Sequence, residues 1–344
     1  MKVLIIKLSS IGDCVHTLPA VASLREGFEK KGVKARIDWL VEEAASSILK
    51  GNRLIDNVIV VKRGWLRNFL ENRKAARALA ATRYDLVLDF QGLLKSGVWV
   101  FLSKGRRRAG FSNARELSHL FLNDRMAPYD PERHAVDRYL DLARHAGGAP
   151  GPARFEVDTG RARESAGKKL RAAGISDKDA FFVLIPRARW ATKLWSDERF
   201  VELAKRLCER TGLKAVLAGG PGDRAGLERM RERIGTAAVN LAGETGLPEL
   251  AEVLRRARFA VTVDSGPMHL AAAVGTRVVA LFGPTAPWRT GPYGKGHIII
   301  RKGLPCSPCF LKKCRDARCM SGITVEEVLK ALEPLLPARQ RDTF

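Results

Sequence analysis

The chain has 344 residues, which is long for one domain and comfortable for two. Its apolar fraction of 46% is ordinary for a globular protein, and no apolar run approaches the roughly 20 residues of a membrane span. The first residues read as a β-strand, and no small-residue cleavage site follows an apolar segment, so we see no signal peptide. We therefore expect a cytoplasmic protein of two domains.

The formal net charge of +23 comes from 60 Lys and Arg residues against 37 Asp and Glu residues, and both halves of the chain share the excess. Such a charge indicates an anionic partner: nucleic acid, phospholipid headgroups or a phosphorylated substrate. A nucleic-acid-binding protein would carry a basic stripe with interleaved aromatic side chains. Aromatic residues make up only 7% of the chain and show no such pattern, so we expect no nucleic acid. Local basic clusters carry more weight than the total, for example Lys104, Arg106, Arg107 and Arg108.

Short β-branched runs alternate with helical patterns in the first half of the chain. The predicted strands are residues 3–8, 36–41, 58–61 and 86–90. The predicted helices are residues 17–30, 66–81 and 94–102. Strands that alternate with helices favour a parallel sheet covered by helices on both faces.

A Gly- and Pro-rich segment at residues 146–152 interrupts this alternation and is typical of a linker. A second series follows, with predicted strands at 181–185, 214–218, 259–262 and 277–282. Its predicted helices are 200–209, 222–234, 247–256, 269–274 and 324–336. We therefore predict two Rossmann-like domains, residues 1–150 and 151–325. Residues 326–344 would form a closing helix and tail that packs back on the N-terminal domain.

Ligands of doubly wound sheets bind at the carboxyl ends of the strands, so motifs at those ends are the candidates for chemistry. The first is the loop at residues 7–13, which places Asp13 at a helix start. One interpretation is a helix cap, a common use of Asp. The other is a general base, because a helix N-terminus favours the ionised carboxylate.

Two further loops could meet phosphate. After the strand ending near residue 185 come Arg187, Arg189 and Lys193, whose charged groups are strong phosphate donors. Trp190 and Trp195 in the same loop argue against a mobile, solvated segment. The Gly-rich turn around Gly220 follows the next strand, and its glycines permit close approach of the backbone to a ligand.

The fourth candidate is the segment from residue 263 to 270, between a strand and a helix. Free backbone amides at a helix start form a seat for a diphosphate, with Ser265 and Gly266 beside them. Asp264 could cap this helix, and His269 could reach a phosphate or a ribose. A turn containing Gly283 and Thr285 follows the next strand and would line the same cleft.

Together these motifs resemble glycosyltransferase family 9, the heptosyltransferases of lipopolysaccharide inner-core synthesis. The matching segments are KLSSIGD at 7–13, HTLP at 16–19, WLVEE at 39–43, DFQGLLKS at 89–96, TKLW at 192–195, DSGPMH at 264–269 and FGPT at 282–285. The opening and the DFQGLLK segment look like the enzyme that adds the first heptose. The cysteine cluster near the C-terminus looks more like the second-heptose branch, so the acceptor stays open.

The resemblance implies the GT-B architecture, two facing Rossmann-like domains with parallel sheets. It implies an inverting, metal-independent transfer from ADP-L-glycero-β-D-manno-heptose to a Kdo-lipid A acceptor, at the anionic inner leaflet of the bacterial inner membrane and by a monomer. Asp13 would be the catalytic base, and Lys193 would stabilise the leaving diphosphate. The implied donor-site residues are Arg187, Thr192, Gly220, Asp264, Ser265, Gly266, His269, Gly283 and Thr285. The implied acceptor-site residues are Ser10, Gly12, His16, Gln91, Lys95 and Arg115.

Four of the six cysteines lie close together in sequence, at Cys306, Cys309, Cys314 and Cys319. Four thiolates can bind zinc, although zinc sites usually have two close pairs and this spacing has one. The other interpretation is a surface loop that packs without metal. We expect no catalytic role, because the loop lies outside the strand-end motifs in sequence.

Three alternatives compete with the heptosyltransferase hypothesis. One is a different GT-B enzyme, either a transferase of another ADP- or UDP-sugar or a sugar-nucleotide epimerase. The second is a basic nucleic-acid-binding protein, suggested by charge alone. The third is a non-catalytic scaffold, against which the presence of Asp13 and Lys193 argues.

Overall fold

The computed structural model describes residues 1–64 and 68–336. The chain divides into two compact units, Met1–Asp158 and Thr159–Phe344. Within the described part of the chain, no helix has both the length and the apolar character that crossing a bilayer requires.

The first unit contains a six-stranded parallel sheet in the order β3-β2-β1-β4-β5-β6. Its strands are β1 (Lys2–Ile6), β2 (Arg36–Glu42), β3 (Asn57–Val61), β4 (Leu86–Asp89), β5 (Arg107–Phe111) and β6 (Asp124–Met126). Its helices are α1 (Ile11–Lys30), α2 (Glu43–Leu49), α3 (Phe69–Thr82), α4 (Leu94–Leu102) and α5 (Ala135–His145). A 3₁₀ turn covers Ser118–Phe121.

The second unit repeats this arrangement, with a parallel sheet in the order β12-β11-β10-β7-β8-β9. Its strands are β7 (Phe181–Ile185), β8 (Lys214–Leu217), β9 (Ala238–Asn240), β10 (Phe259–Val263), β11 (Arg277–Leu281) and β12 (Ile298–Ile300). Its helices are α6 (Arg163–Ala172), α7 (Asp197–Thr211), α8 (Arg224–Ile234), α9 (Leu247–Arg256), α10 (Gly266–Ala273), α11 (Pro287–Thr290), α12 (Arg318–Ser321) and α13 (Val325–Leu332). A 3₁₀ turn at Ala191–Lys193 follows β7.

Continuous apolar strands explain why each sheet is central to its unit. In β1, the four residues from Val3 to Ile6 are fully buried, and all five residues of β7 are buried as well. Strands buried on both faces are typical of parallel sheets covered by helices. The predicted fold class is confirmed in each unit, as a six-stranded parallel sheet flanked by helices.

Some predicted boundaries shift. Helix α1 begins at Ile11 rather than residue 17, and it contains Pro19 in its interior. The predicted start of the third helix at residue 66 lies outside the described residues. Helix α13 belongs to the core of the second unit, where its apolar side chains pack. The described part of the predicted segment 326–344 is therefore not a separate piece.

Candidate active site

The loop from β1 into α1 places a carboxylate at the end of the first unit's central strand. The Asp13 carboxylate oxygen Oδ2 accepts hydrogen bonds from the backbone N–H of Ser10 at 3.0 Å and from its hydroxyl at 2.7 Å. This is the reciprocal contact of a capping box, in which the third helical residue reaches back to the cap. Asp13 therefore has a structural role at the helix start, yet 36% of its side chain stays exposed.

A buried lysine lies beneath this carboxylate. Lys7 is 2% exposed, and its ammonium donates hydrogen bonds to the Phe90 carbonyl at 2.9 Å and the Tyr139 hydroxyl at 2.7 Å. The same ammonium lies 3.8 Å from Asp13 Oδ1. Burial by itself lowers the pKa of Lys7, but its interactions with Tyr139 and Asp13 outweigh burial and leave that pKa raised. Lys7 is therefore a fixed positive charge next to Asp13.

The start of α4 holds the same loop from the other side. The side-chain oxygen of Gln91 accepts from the backbone amides of Leu8 at 3.2 Å and Ser9 at 3.1 Å. The Lys95 ammonium donates to the Ser9 hydroxyl at 2.8 Å and pairs with Glu42 at 2.8 Å. Glu42 belongs to β2, Gln91 to the segment between β4 and α4, and Lys95 to the first turn of α4. Elements that follow neighbouring strand ends therefore fix the conformation of the loop.

In the second unit, the ends of three neighbouring strands bring together a lysine, a carboxylate and a hydroxyl. Lys193 follows β7, Asp264 follows β10 and Thr285 follows β11. The carboxylate of Asp264 lies 2.5 Å from the Lys193 ammonium and accepts a hydrogen bond from the Thr285 hydroxyl at 2.6 Å. Asp264 is 6% exposed, so the three groups form a compact polar cluster that orients the lysine.

Aromatic packing holds the loop that carries this lysine. The Lys193 ammonium lies 4.6 Å from the centre of the Trp190 ring, in a cation–π contact. Trp195 is 1% exposed, and its indole N–H donates to the Ile323 carbonyl at 2.9 Å. Both indoles therefore fix the loop.

Helix α10 begins at the carboxyl end of β10. Its N-cap residue is Ser265, which makes no capping hydrogen bond through its side chain. The hydroxyl of Ser265 lies 3.4 Å from that of Thr262. Helix N-termini attract anions through their backbone amides and their positive dipole end, so this helix start and Lys193 present two kinds of anion-binding group from adjacent strand ends.

Comparisons with known proteins identify the family of the chain. The family model "Glycosyltransferase family 9 (heptosyltransferase)" matches residues 72–319. The chain belongs to glycosyltransferase family 9. Lipopolysaccharide heptosyltransferase 1 of Pseudomonas aeruginosa is 35% identical over 332 residues, which cover 91% of this chain and 87% of the relative. The Escherichia coli K12 protein of that name is 33% identical, over 88% of this chain and 93% of the relative.

Solved structures of the family share the fold. E. coli heptosyltransferase WaaC with ADP is 28% identical, with a TM-score of 0.78 over 97% of this chain and 100% of that chain. A family 9 glycosyl transferase from Veillonella parvula is 25% identical, with a TM-score of 0.83 over 97% of this chain and 96% of that chain. The chain is therefore a family 9 glycosyltransferase in sequence and in fold.

The structure groups several residues that the sequence singled out. In the first unit, Ser10, Gln91 and Lys95 surround the Asp13 loop through the contacts above. Arg115 lies on an adjacent loop, where its backbone N–H donates to the Gly92 carbonyl at 3.0 Å. In the second unit, the grouped residues are Thr192, Lys193, Asp264, Ser265, Gly266 and Thr285. Their roles toward donor and acceptor remain predictions.

Other predicted site residues are packed inside the units. His16 is 2% exposed and its ring meets that of His134 edge to face, while His269 is 8% exposed. Gly12 is also buried. Gly283 is packed so tightly that a Cβ would lie 2.6 Å from Met320. His16, His269, Gly12 and Gly283 are therefore packing residues in this conformation.

Arg187, a predicted donor-site residue, is paired with a carboxylate of its own unit. Its guanidinium forms a bidentate ion pair with Asp197, with distances of 2.5 and 2.8 Å. The hydrogen bonds from this side chain to Asp197 raise the pKa of Arg187. Gly220 donates its backbone N–H to Asp223 at 2.8 Å, which caps the following turn. Asp197 therefore holds the Arg187 guanidinium in this structure, and the role of Arg187 toward the donor stays a prediction.

Two expectations need correction, one about Asp264 and one about the cysteine-containing loop. Asp264 does not cap α10, because the cap is Ser265 and the carboxylate points to Lys193 and Thr285. The cysteine-containing loop is distant in sequence from the strand-end motifs but packs against them. The backbone N–H of Cys309 donates to the Pro284 carbonyl at 3.0 Å, and Thr192 donates to the Leu311 carbonyl at 2.8 Å.

The cysteines themselves do not form a preset metal site. Among the described residues, no group of three or more His, Cys, Asp or Glu side chains is arranged to hold a metal ion. Burial raises the pKa of Cys319, and the nearby Cys309, Cys306 and Cys314 raise it further. Structural zinc remains a hypothesis from sequence spacing.

Sequence reasoning did not assign roles to Lys7 or Tyr139. Lys7 carried a signal, since a lysine that continues a fully apolar strand needs a buried partner. Tyr139 carried none, because its contact with Lys7 joins residues 132 positions apart.

Proposed function

We propose that this protein transfers heptose from ADP-L-glycero-β-D-manno-heptose to the Kdo-lipid A acceptor, with inversion at the anomeric carbon and without a metal ion. Family membership supports the reaction class. The observation that carries the mechanism is the Asp13 carboxylate, which is partly exposed at a strand end and lies 3.8 Å from a buried ammonium.

In this proposal Asp13 accepts the proton of the acceptor hydroxyl as its oxygen attacks the anomeric carbon. The bond from that carbon to the ADP oxygen breaks on the opposite face, which inverts the centre. Lys7 keeps the carboxylate ionised before the transfer, and the two hydrogen bonds from Ser10 hold its orientation. A positioned general base of this kind typically contributes about 10²–10⁴-fold to the rate.

The departing diphosphate needs compensation for its developing charge. Lys193 supplies a cation, and the start of α10 supplies backbone amides and the positive end of a helix dipole. Asp264 and Thr285 fix the position of the lysine. These groups supply in side chains and amides the stabilisation that a metal-dependent transferase obtains from a bound cation.

The relatives favour transfer of the first heptose. Four proteins named heptosyltransferase 1 are 33–35% identical to this chain, whereas two named heptosyltransferase 2 are 26–28% identical. WaaC of E. coli has been solved with ADP and with ADP-2-deoxy-2-fluoro heptose. We therefore propose that Kdo, rather than a first heptose, carries the acceptor hydroxyl.

The test measures heptose transfer from ADP-heptose to Kdo-lipid A with a chelator present, comparing the native chain with Asp13→Asn. We expect kcat to fall by about 10²–10⁴-fold while ADP affinity is retained. Glu327→Gln is a matched control: Glu327 is also a capping-box carboxylate beside a lysine, since it accepts from the Thr324 backbone N–H at 2.8 Å and lies 2.5 Å from Lys302.

If both variants lose stability equally but only Asp13→Asn loses activity, the carboxylate acts in the chemistry and not only in the helix cap. Equal transfer by Asp13→Asn and the native chain would remove Asp13 from the mechanism. Transfer that stops in chelator and returns with a divalent cation would overturn the metal-independent part of the proposal.

A further inference from the structure

The first unit exposes a row of large apolar side chains on two packed elements. Leu94 and Phe101 of α4 are 48% and 63% exposed. Leu117 and Leu120, beside and within the 3₁₀ turn, are 64% and 59% exposed. We name these four residues the apolar strip.

The contacts between the two elements make the strip continuous. At Gly97 a Cβ would lie 2.4 Å from the Phe121 ring, so α4 and the 3₁₀ turn touch directly. The rings of Phe101 and Phe121 meet edge to face with centroids 6.3 Å apart. At the other end, the backbone N–H of Leu94 donates to the Glu116 carboxylate at 3.1 Å. Residues 94 and 101 are two helical turns apart and therefore share a face of α4.

The backbone beneath the strip is held in a costly conformation. Glu116 and Leu117 have φ angles of +54° and +58°, in the left-handed region that bulky side chains rarely adopt. Such residues persist only where the surrounding structure imposes them, and they concentrate at binding sites. Leu117 is 64% exposed, so burial of its side chain does not compensate this conformation.

Positive charges flank the strip at both ends. Lys104 and Arg106 lie just beyond the C-terminal end of α4, and Arg115 precedes the strained pair. All three residues are exposed, and within the described residues the ion pairs do not include them. The exposed carboxylate of Glu116 also lies beside the strip, so the local charge is three cations against one anion. Apolar side chains with an excess of cations beside them match the surface of an anionic bilayer, with its acyl boundary below and phosphates above.

We propose that the apolar strip, with Lys104, Arg106 and Arg115 around it, is the face that docks on an anionic phospholipid surface. A second copy of the chain fits less well, because pairing this face with itself would bring like charges together. The strip has a defined relation to the site: Leu94 precedes Lys95, which binds the Ser9 hydroxyl in the loop leading to Asp13. This relation rests on the proposed function, because docking would present a membrane-anchored acceptor beside that loop.

The test is sedimentation of the full chain with vesicles of phosphatidylcholine alone or with 30% phosphatidylglycerol, on the order of the anionic content of natural leaflets. We expect binding only to the anionic vesicles. Phe101→Ser with Leu120→Ser should weaken it by at least tenfold, on the order expected for losing two buried apolar side chains. Lys104→Gln with Arg106→Gln should weaken it by about fivefold per charge. Ile299→Ser, at an apolar residue of β12 that is 41% exposed, is the matched control and should bind as the native chain does.

Transfer to an acceptor dispersed in detergent micelles separates this inference from the proposed function. The strip variants should keep native activity there and lose it only when the acceptor is in vesicles. Native vesicle binding by the Phe101→Ser and Leu120→Ser double variant would overturn the docking face. A change in oligomeric state on gel filtration, without a change in vesicle binding, would assign the strip to a second copy instead. If the native chain shows no transfer to the acceptor in micelles, that result counts against the proposed reaction and not against the docking face.

Discussion

The two units repeat one fold but treat their strand-end carboxylates differently. In the first unit, the side chain of Asp13 is 36% exposed and its nearest ammonium is 3.8 Å away. In the second unit, the side chain of Asp264 is 7% exposed, with an ammonium at 2.5 Å and a hydroxyl at 2.6 Å. The carboxylate of Asp13 is therefore accessible to a ligand, whereas that of Asp264 is bound to neighbouring side chains.

The location of the lysine differs in the same way. Lys7 is buried under its carboxylate and donates to a carbonyl and a phenol. Lys193 lies in a loop after β7, against the face of Trp190. A buried lysine sets the charge state of its partner, whereas a loop lysine can contact a ligand. In the proposed function, the Asp–Lys pair of the first unit serves proton transfer and the Asp–Lys pair of the second unit serves charge stabilisation.

The strongest test of this comparison is Lys193→Met. Without the cation, the developing diphosphate charge keeps only the amides of α10, so we expect kcat/KM to fall by about 10²–10³-fold. Steady-state kinetics with ADP-heptose would measure this. Lys312→Met is the matched control, because its ammonium also lies over the Trp190 ring, at 5.5 Å.

If Lys312→Met loses as much activity as Lys193→Met, the effect comes from the aromatic loop as a whole and not from the cation next to Asp264. If Lys193→Met raises KM alone, with kcat unchanged, the lysine binds substrate and transition state equally well.

A second test concerns the buried lysine. In Lys7→Met the carboxylate of Asp13 loses a cation 3.8 Å away, so its protonated form becomes relatively more favourable. The acidic midpoint of kcat/KM against pH should move up by about one pH unit, since an opposite charge at this distance shifts a carboxyl by about that much or more. Above that midpoint, activity should stay within a few-fold of the native value.

Tyr139→Phe is the control for this shift. It removes the hydrogen bond to Lys7 but keeps the ammonium, so the midpoint should stay in place while stability falls by about 2–3 kcal/mol, the range for a buried charged donor that loses a partner. Burial raises the pKa of Tyr139 and of Cys14, so neither side chain changes its protonation state in the acidic pH range where activity falls. A uniform loss of activity in Lys7→Met, with an unmoved midpoint, would make Lys7 a packing residue only.

The central strands of both units, and the polar residues at their carboxyl ends, could be predicted from the sequence. Apolar runs bounded by Gly and polar residues located the central strands, and the rule that ligands bind at carboxyl ends selected Asp13, Lys193 and Asp264 before any coordinates. That rule works because neighbouring parallel strands end at the same edge of the sheet. It brought together residues from β7, β10 and β11 without knowledge of their distances.

Partners that are far apart in sequence could not be found in this way. Thr192 meets the Leu311 carbonyl across 119 positions, and Lys7 meets Tyr139 across 132. Neither contact leaves a local pattern, because each depends on how separate elements pack. The short strands β5, β6, β9 and β12 and the helices α2, α5, α6, α11 and α12 were also absent from the predictions, since short runs and helices without clear end signals carry little periodicity.

Arg187 gives the smallest predicted effect. Because its guanidinium is paired with Asp197, Arg187→Met should leave the Kd for ADP within about twofold of the native value. Partly exposed pairs contribute at most about 1 kcal/mol, so the Tm should fall by no more than about 2–4 °C for a unit of this size. Isothermal titration with ADP and a thermal melt would measure both. A tenfold weaker Kd with an unchanged Tm would mean that the arginine leaves Asp197 for the diphosphate when the donor binds, and the second unit would then hold its leaving group with two cations rather than one.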